Sequence, residues 1–239
     1  MAAPSADTAF LLYQLTDSAL PTGGFAHSAG LEAADTLAVV DTASAFVGRV
    51  LAQVAAMQLP FVAEAWRAAG DSGPAAWAAA WAGLDRTWHV MNPNASARKA
   101  SASQGVALLR LAAEGVLPES CVPAAKTLRR LVLGDAALRG HQAPAWGVLS
   151  ALAGLSQRDA QRLTLWWAAR DAFAAATRLG LVGPIAGAKA LRELMADGLA
   201  DRLIDGAPES VADAHSPDPF LDVVQGAHDN VLYSRLFVT

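Results

Sequence analysis

The chain has 239 residues, enough for one large domain, and 54% of them are hydrophobic while only 17% are charged. Its formal charge of −4 does not favour nucleic-acid binding, and no uninterrupted apolar run reaches the roughly 18 residues of a membrane-spanning helix. The single cysteine, Cys121, excludes an internal disulfide and a cysteine-rich metal site. The apolar excess therefore favours a large core or surfaces that contact other proteins.

The N-terminal segment carries no targeting signal. Residues 1–10 lack the basic region and long apolar core of a signal peptide, and they contain no arginine of the kind that transit peptides use. We therefore expect a cytoplasmic location. Residues 1–7 are expected to form a disordered tail.

The stretch from residue 11 to residue 32 has an unusual order, LLYQLTDSALPTGGFAHSAGLE. A short apolar helix leads into a turn, and Phe25, His27 and Glu32 follow closely. Gly23 and Gly24 are predicted to let the backbone turn rather than to cradle a phosphate. His27 and Glu32 would suit hydrogen bonds to neighbouring helix ends.

Helical spacing of apolar residues continues through most of the rest of the chain. A helix from residue 41 or 42 to about 69 is expected to bend at Pro60, and a capping-box pattern begins another at Ser156 that ends near Gly180. Further helices are predicted at about 75–91, 96–114, 119–138, 144–154, 184–203 and 219–234, with loops at 70–74 and 205–219. The sequence thus predicts one all-α domain, 1–239, built as a bundle of about eight to ten helices.

Charge is distributed unevenly along the chain. Residues 86–139 hold eight Lys or Arg against three acids, whereas residues 193–222 hold eight acids against one Arg. Five of the acids are spaced four apart, which on a helix makes an acidic stripe: Glu193, Asp197, Asp201, Asp205 and Glu209. The stripe fits either a solvated helix face or a docking surface for a basic partner.

No assembled catalytic or metal-binding motif is present. The five histidines, at 27, 89, 141, 215 and 228, show neither helical zinc-site spacing nor an H-E-x-x-H motif. No serine has a nucleophile-elbow setting, and no glycine-rich nucleotide-binding loop occurs. We therefore expect no enzyme activity, no catalytic residue and no stable metal site in one copy, although two copies could share one.

Five segments, taken together, resemble the UreF-type urease accessory proteins. In the family's order they are 11–32, 96–109, 141–147, 176–183 and 228–237, and they extend over nearly the whole chain. The Arg98-Lys99 pair is similar to that of plant and algal members. Many bacterial members place a glutamate shortly before this arginine, and here that region reads Asn92-Pro93-Asn94-Ala95-Ser96.

The resemblance implies an all-helical, two-fold-symmetric homodimer that works through other proteins. Its expected partners are the UreD/UreH accessory protein, the GTPase UreG and apo-urease, with no nucleic acid and no membrane. No cofactor is expected to bind stably, since nickel would be only transient cargo of the complex. The candidate partner-binding or dimer-interface residues are Phe25, His27, Glu32, Arg98, Gln104, Arg178, Tyr233 and Arg235.

Two alternatives remain open from the sequence. The chain could be a GTPase-activating protein that acts catalytically on UreG, with Arg98, Arg178 or Arg235 as an arginine finger. It could also be a helical adaptor unrelated to nickel. Arg178 would equally suit an internal salt bridge, and Tyr233 with Arg235 would suit a C-terminal helix held against the core.

Overall fold

The computed structural model describes residues 6–71, 74–196 and 198–239, and within them it contains helices, turns and extended segments but no β-strand. The prediction of an all-α fold is therefore confirmed. The helices are α1 (Ala6–Thr16), α2 (Leu31–Thr36), α3 (Ala43–Met57), α4 (Leu59–Asp71), α5 (Pro74–Met91), α6 (Ala95–Ala113), α7 (Val122–Gly134), α8 (Gln142–Leu152), α9 (Gln157–Arg178), α10 (Pro184–Ala196), α11 (Leu199–Asp205) and α12 (Pro219–Val231).

The number of described helices slightly exceeds the predicted eight to ten, because two predicted helices are each divided in two. Residues 41–69 form α3 and α4, and residues 184–203 lie in α10 and α11. Three short 3-10 turns, at Gly24–Ala26, Glu119–Cys121 and Val211–Asp213, join other elements. Helix α1 begins at Ala6, inside the predicted tail of residues 1–7, whose first five residues lie outside the described ranges.

The break between α3 and α4 follows from Pro60. Proline has no backbone N–H and cannot continue the helical hydrogen-bond pattern, and the helix is interrupted two residues earlier, at Gln58. The carbonyl of Ala56, which lies four residues before Pro60, instead accepts a hydrogen bond of 3.3 Å from the backbone N–H of His215. A distant loop thus satisfies the group that proline leaves unpaired.

The interrupted helix formed by α3 and α4 is apolar enough, over residues 43–70, to span a membrane by length and composition alone. However, 67% of its most apolar window is buried within the protein. Helix α4 packs on α8 at close range, and a Cβ on Gly147 of α8 would lie 2.5 Å from the carbonyl oxygen of Val62. Core packing therefore accounts for the high hydropathy of α3 and α4.

The core has two parts, and helices α3, α4 and α9 contribute residues to both. The first surrounds α4 and α8 and contains the fully buried rings of Trp81, Trp88 and Trp146. The second lies between α3, α9 and α12 and includes Phe46, Phe173 and Leu221. Helix α9, whose N-cap Ser156 accepts from the backbone N–H of Asp159, runs between the two parts and packs on α3, α4, α8 and α10.

The predicted acidic stripe is not continuous in the structure. Gly198 has a positive φ of 67° and separates α10 from α11, so the five acids do not share one regular helix; Asp197 itself lies outside the described residues. Asp201 and Asp205 pair with Arg158 at 2.9 and 2.8 Å, and Arg162 reaches Asp201 at 2.8 Å. These acids therefore attach α11 to α9.

The last eight residues, 232–239, also differ from prediction. Helix α12 ends at Val231, three residues earlier than expected, and the C-terminal segment, as we call 232–239, is not helical. The backbone N–H of Val238 donates to the Ala26 carbonyl at 2.8 Å, and that of Ser28 donates to the Thr239 carbonyl at 2.7 Å. The β-prone C-terminal segment thus pairs with the turn near residue 26, more than 200 residues away in sequence.

Candidate docking surface at the C-terminal segment

Glu32, on α2, anchors the C-terminal segment. This glutamate is buried and accepts hydrogen bonds from the backbone N–H groups of Leu236 and Phe237, the latter at 3.1 Å. Its Oε2 also lies 3.0 Å from Nε2 of the fully buried His228 on α12. A single carboxylate therefore joins α2, α12 and the C-terminal segment. Buried polar groups in folded proteins are normally hydrogen-bonded, and these contacts give Glu32 a structural role.

The other ring nitrogen of His228 continues this network towards solvent. Its Nδ1 lies 3.3 Å from Oδ1 of Asp229, and Arg235 donates to the same oxygen at 2.6 Å. The hydroxyl of Ser96, in the first turn of α6, donates to Asp229 at 3.0 Å. Arg235 is thus exposed but paired, and its guanidinium positions the start of the C-terminal segment beside α6.

Arg178 forms the most distinctive feature of this surface. Its guanidinium carbon lies 3.9 Å from the ring centre of Phe25 and 4.2 Å from that of Phe237, and its Nη1 donates to the Phe25 carbonyl at 2.6 Å. We call these three residues the arginine stack. The predicted internal salt bridge of Arg178 does not form among the described residues, because two aromatic rings and a carbonyl take the place of a carboxylate.

The 3-10 turn that carries Phe25 depends on two glycines for different reasons. Gly23 has a positive φ of 84°, a conformation that glycine adopts without steric cost. Gly24 has no positive φ, but a Cβ there would lie 2.0 Å from Oδ2 of Asp171 on α9. The first glycine therefore lets the backbone turn, and the second lets the turn approach α9.

His27 is buried on the inner side of the same turn. Its Nδ1 lies 2.6 Å from Oγ1 of Thr239, while its Nε2 has no protein hydrogen-bond partner. Burial is the largest cause that lowers the pKa of His27 to about 4, and the neighbouring Lys99 and His228 act in the same direction. His27 is therefore neutral at pH 7 and holds the chain end rather than a partner's charge.

A cavity of about 140 Å³ lies behind the turn, between α3, α6 and α9. It contains Gln104, a predicted site residue, together with Gln58 and Gln142. Asp171 also lines it, and burial raises the pKa of this carboxyl although the neighbouring Arg170 opposes the shift. Gln104 is only partly exposed and faces this cavity, so it does not belong to the outer surface that carries the arginine stack.

The remaining two predicted residues lie apart from each other. Tyr233 projects fully into solvent from the C-terminal segment, close in sequence to Arg235. Arg98, on α6, donates to the backbone carbonyls of Asn92 and Pro93 at 2.7 and 2.9 Å, so it closes the loop before its own helix. All three arginines considered as fingers are thus engaged within the chain, an arrangement that does not favour that role.

The described histidines do not assemble a metal centre, and no group of three or more His, Cys, Asp or Glu side chains suited to a metal occurs among the described residues. The nearest pair is His89 and His141, whose Nδ1 and Nε2 atoms lie 3.1 Å apart. Burial lowers the pKa of His141 to about 3, with His89 and two arginines adding to the effect. This pair forms a contact between the half-buried His89 of α5 and the buried His141, the N-cap residue of α8.

Several residues on which the surface depends were not among the predicted site residues. Phe237, His228 and Asp229 lie within the C-terminal motif that resembles the family, so this motif could have identified them as site residues. Asp171 and Thr239 had no such signal, because their importance follows from the approach of Gly24 and His27 across the fold.

Comparison with known proteins identifies the family. The UreF family model matches residues 37–195. The urease accessory protein F of Oryza sativa subsp. indica is 40% identical over 231 residues, covering 95% of this chain and 84% of the rice protein. The protein of the same name from Arabidopsis thaliana is 38% identical over 228 residues, covering 94% of this chain and 90% of its own.

A bacterial relative shows lower identity over a similar length. The urease accessory protein UreF of Arthrobacter sp. strain FB24 is 31% identical over 237 residues, covering 95% of this chain and 96% of its own. The higher identity to the two plant proteins agrees with the Arg98-Lys99 pair noted in the sequence. From these matches and its all-α fold, the chain belongs to the UreF family.

Proposed function

We propose that this chain is a non-catalytic urease accessory protein of the cytoplasm. In this proposal it acts as a homodimer that bridges UreD/UreH and the GTPase UreG, and so promotes the insertion of nickel into apo-urease. Its relatives are named as urease accessory proteins, which supports a role in urease maturation. Nickel is transient cargo of the whole complex, and no cofactor stays bound to this chain.

The observation that carries the proposal is the exposed ring of Phe25 in the arginine stack, next to exposed apolar residues of the C-terminal segment. The ring of Phe25 is 64% exposed although it already contacts Arg178, and Leu236 and Val238 beside Phe237 are also exposed. Clustered apolar residues on a surface are typical of protein contact sites, and aromatic residues with arginine contribute most strongly to binding there. We infer that this surface binds a partner protein.

The buried network beneath this surface gives it a fixed shape. Glu32 fixes the C-terminal segment, and Phe237 of that segment forms one side of the arginine stack. A surface that is already ordered loses less conformational entropy when a partner binds. The chain would then promote maturation by binding one state of its partners more tightly than another, while GTP hydrolysis is carried out by UreG.

The test is size-exclusion chromatography with light scattering on this chain, alone and with purified UreD/UreH and UreG. We expect a dimer that binds UreD/UreH and then takes up UreG. Phe25→Ala should weaken assembly, whereas Val90→Ala, which removes an 81% exposed apolar side chain from α5, should not.

Three outcomes would contradict the proposal, each in a different part. A wild-type chain that binds neither partner would refute the bridging role. Normal urease activation in cells that lack the chain would instead favour an adaptor unrelated to nickel. A tightly bound, stoichiometric nickel ion in the purified chain would refute the expectation that nickel is only cargo.

A further inference from the structure

Basic side chains of residues 86–139 lack carboxylate partners to an unusual degree. Among the described residues, only Arg86 of the eight Lys and Arg in this range forms an ion pair, with Asp135 at 3.1 Å. Of the ten Lys and Arg elsewhere in the chain, at least seven form ion pairs with described residues: Arg49, Arg67, Arg158, Arg162, Arg170, Lys189 and Arg235. The unpaired positive charge is therefore concentrated in one region.

Helix α7 arranges part of this charge on one exposed face. Lys126, Arg130 and Leu133 are spaced by four and three residues, so they follow one another along the outer side of the helix. Arg129 lies beside them and is half-buried. Arg130 donates only within α7, to the carbonyl of Lys126 and the hydroxyl of Thr127, so its charge stays uncompensated. We call Lys126, Arg129, Arg130 and Leu133 the basic α7 face.

The neighbouring helix α6 extends this surface. It packs against α7, and its solvent side carries Val106 and Arg110. Val106 of α6 and Val132 of α7 both lie close to Gly140, since a Cβ on this glycine would be 3.2 Å from a methyl group of each valine. The exposed sides of α6 and α7 therefore present apolar side chains between lysines and arginines.

Leu133 adds an exposed apolar side chain to this charged face. Its side chain is 84% exposed in the last turn of α7, although leucine usually contributes to a core. An apolar side chain among unpaired cations offers a partner both charge complementarity and an area to bury. The whole chain carries a net charge of −4, so general attraction to a polyanion such as nucleic acid is less favoured.

We propose that the basic α7 face docks an acidic surface of a protein partner, one that offers carboxylates around an apolar pocket for Leu133. This proposal rests on the proposed function, since the partner is a member of the urease-maturation assembly. The face is separate from the arginine stack, because α7 packs against α5, α6 and α8, whereas the stack is formed by α9, a 3-10 turn and the C-terminal segment. The chain thus has two docking surfaces on different elements.

The experiment measures binding of the full-length chain to purified UreG and to purified UreD/UreH, each at low and high salt. The test variant, Lys126→Glu with Arg130→Glu, reverses two exposed charges. The matched control, Lys126→Arg with Arg130→Lys, exchanges the two side chains and keeps their charge. Circular dichroism melting of both variants checks that the helix is intact.

We expect the charge-reversed variant to bind one of the two partners roughly tenfold more weakly at low salt, with a smaller difference at high salt because salt screens exposed charges. The control should bind like the wild type, and Leu133→Ala should weaken binding to the same partner. Equal binding of the wild type and the charge-reversed variant to both partners would overturn this inference while leaving the proposed function intact. If the wild type binds neither, both proposals fail. A short RNA is titrated as a third ligand, and if charge reversal removes binding to the RNA only, the protein partner is refuted.

Discussion

The substitution Glu32→Ala should release the C-terminal segment without unfolding the helices. It removes the acceptor for the backbone N–H groups of Leu236 and Phe237 and for the ring of His228. Each buried donor left without a partner costs about 1–3 kcal/mol. If the segment stayed in place, three such donors would therefore cost roughly 3–9 kcal/mol.

Detachment of the segment limits this cost. Water would then hydrate both N–H groups, and the main loss would be the burial of Phe237 and Leu232, which are 4% and 8% exposed. Burial of each such side chain contributes about 1.5–3 kcal/mol. The two costs are of similar size, so we expect the segment to be detached much of the time, with the core helices still folded.

Hydrogen exchange followed by mass spectrometry measures this effect directly. In Glu32→Ala, protection of the amides in peptides covering 232–239 should fall by about a hundredfold or more, since every 1.4 kcal/mol is a factor of ten. Peptides from α4 and α8 should keep their protection. Glu114→Ala, which removes an exposed glutamate, is the control. Unchanged protection of 232–239 in Glu32→Ala would refute the anchoring role of Glu32.

Three further predictions concern the same surface. Gly24→Ala should lower the free energy of unfolding by about 1–3 kcal/mol, because the new Cβ would lie 2.0 Å from the carboxylate of Asp171. The control Gly83→Ala, which places a Cβ in open space on α5, should not lower it. Equal denaturation curves for the wild type and Gly24→Ala would contradict this contact. The pKa of His27 is lowered to about 4, so the unfolded chain takes up the proton first as the pH falls. The free energy of unfolding should therefore decline between pH 6.5 and pH 4, by at most about 3 kcal/mol from this group. In denaturant titrations at each pH, the free energy of unfolding of His27→Asn should decline less steeply than that of the wild type. Arg178→Ala should weaken binding of the partner at least tenfold in pull-down titrations, because it removes the side chain that both aromatic rings contact. Arg178→Lys, which keeps the charge, should weaken binding by less. Normal binding by the alanine variant would exclude the arginine stack as a docking surface.

Part of the docking surface was predictable because its residues belong to ordered motifs. Phe25, His27, Glu32, Arg178, Tyr233 and Arg235 were selected from three segments far apart in sequence, and the structure places all six on or beside the C-terminal segment. The other two were selected on the same grounds but lie elsewhere, Arg98 against its own loop and Gln104 at the internal cavity. A motif indicates which residues matter, but it does not distinguish an outer surface from an inner wall. Their role in binding partners stays a prediction.

The sequence by itself determined the all-α class, since apolar spacing, caps and proline positions are local properties that each segment carries alone. The order of the motifs, likewise read from the sequence, was enough to predict the family. Only the tertiary structure decided that the C-terminal segment leaves its helix, because its hydrogen-bond partners at residues 26, 28 and 32 are more than 200 residues away. The same holds for Arg178, whose aromatic neighbours, rather than a carboxylate, follow from packing between distant segments. Contacts of this kind depend on how helices meet in space, which no local pattern specifies.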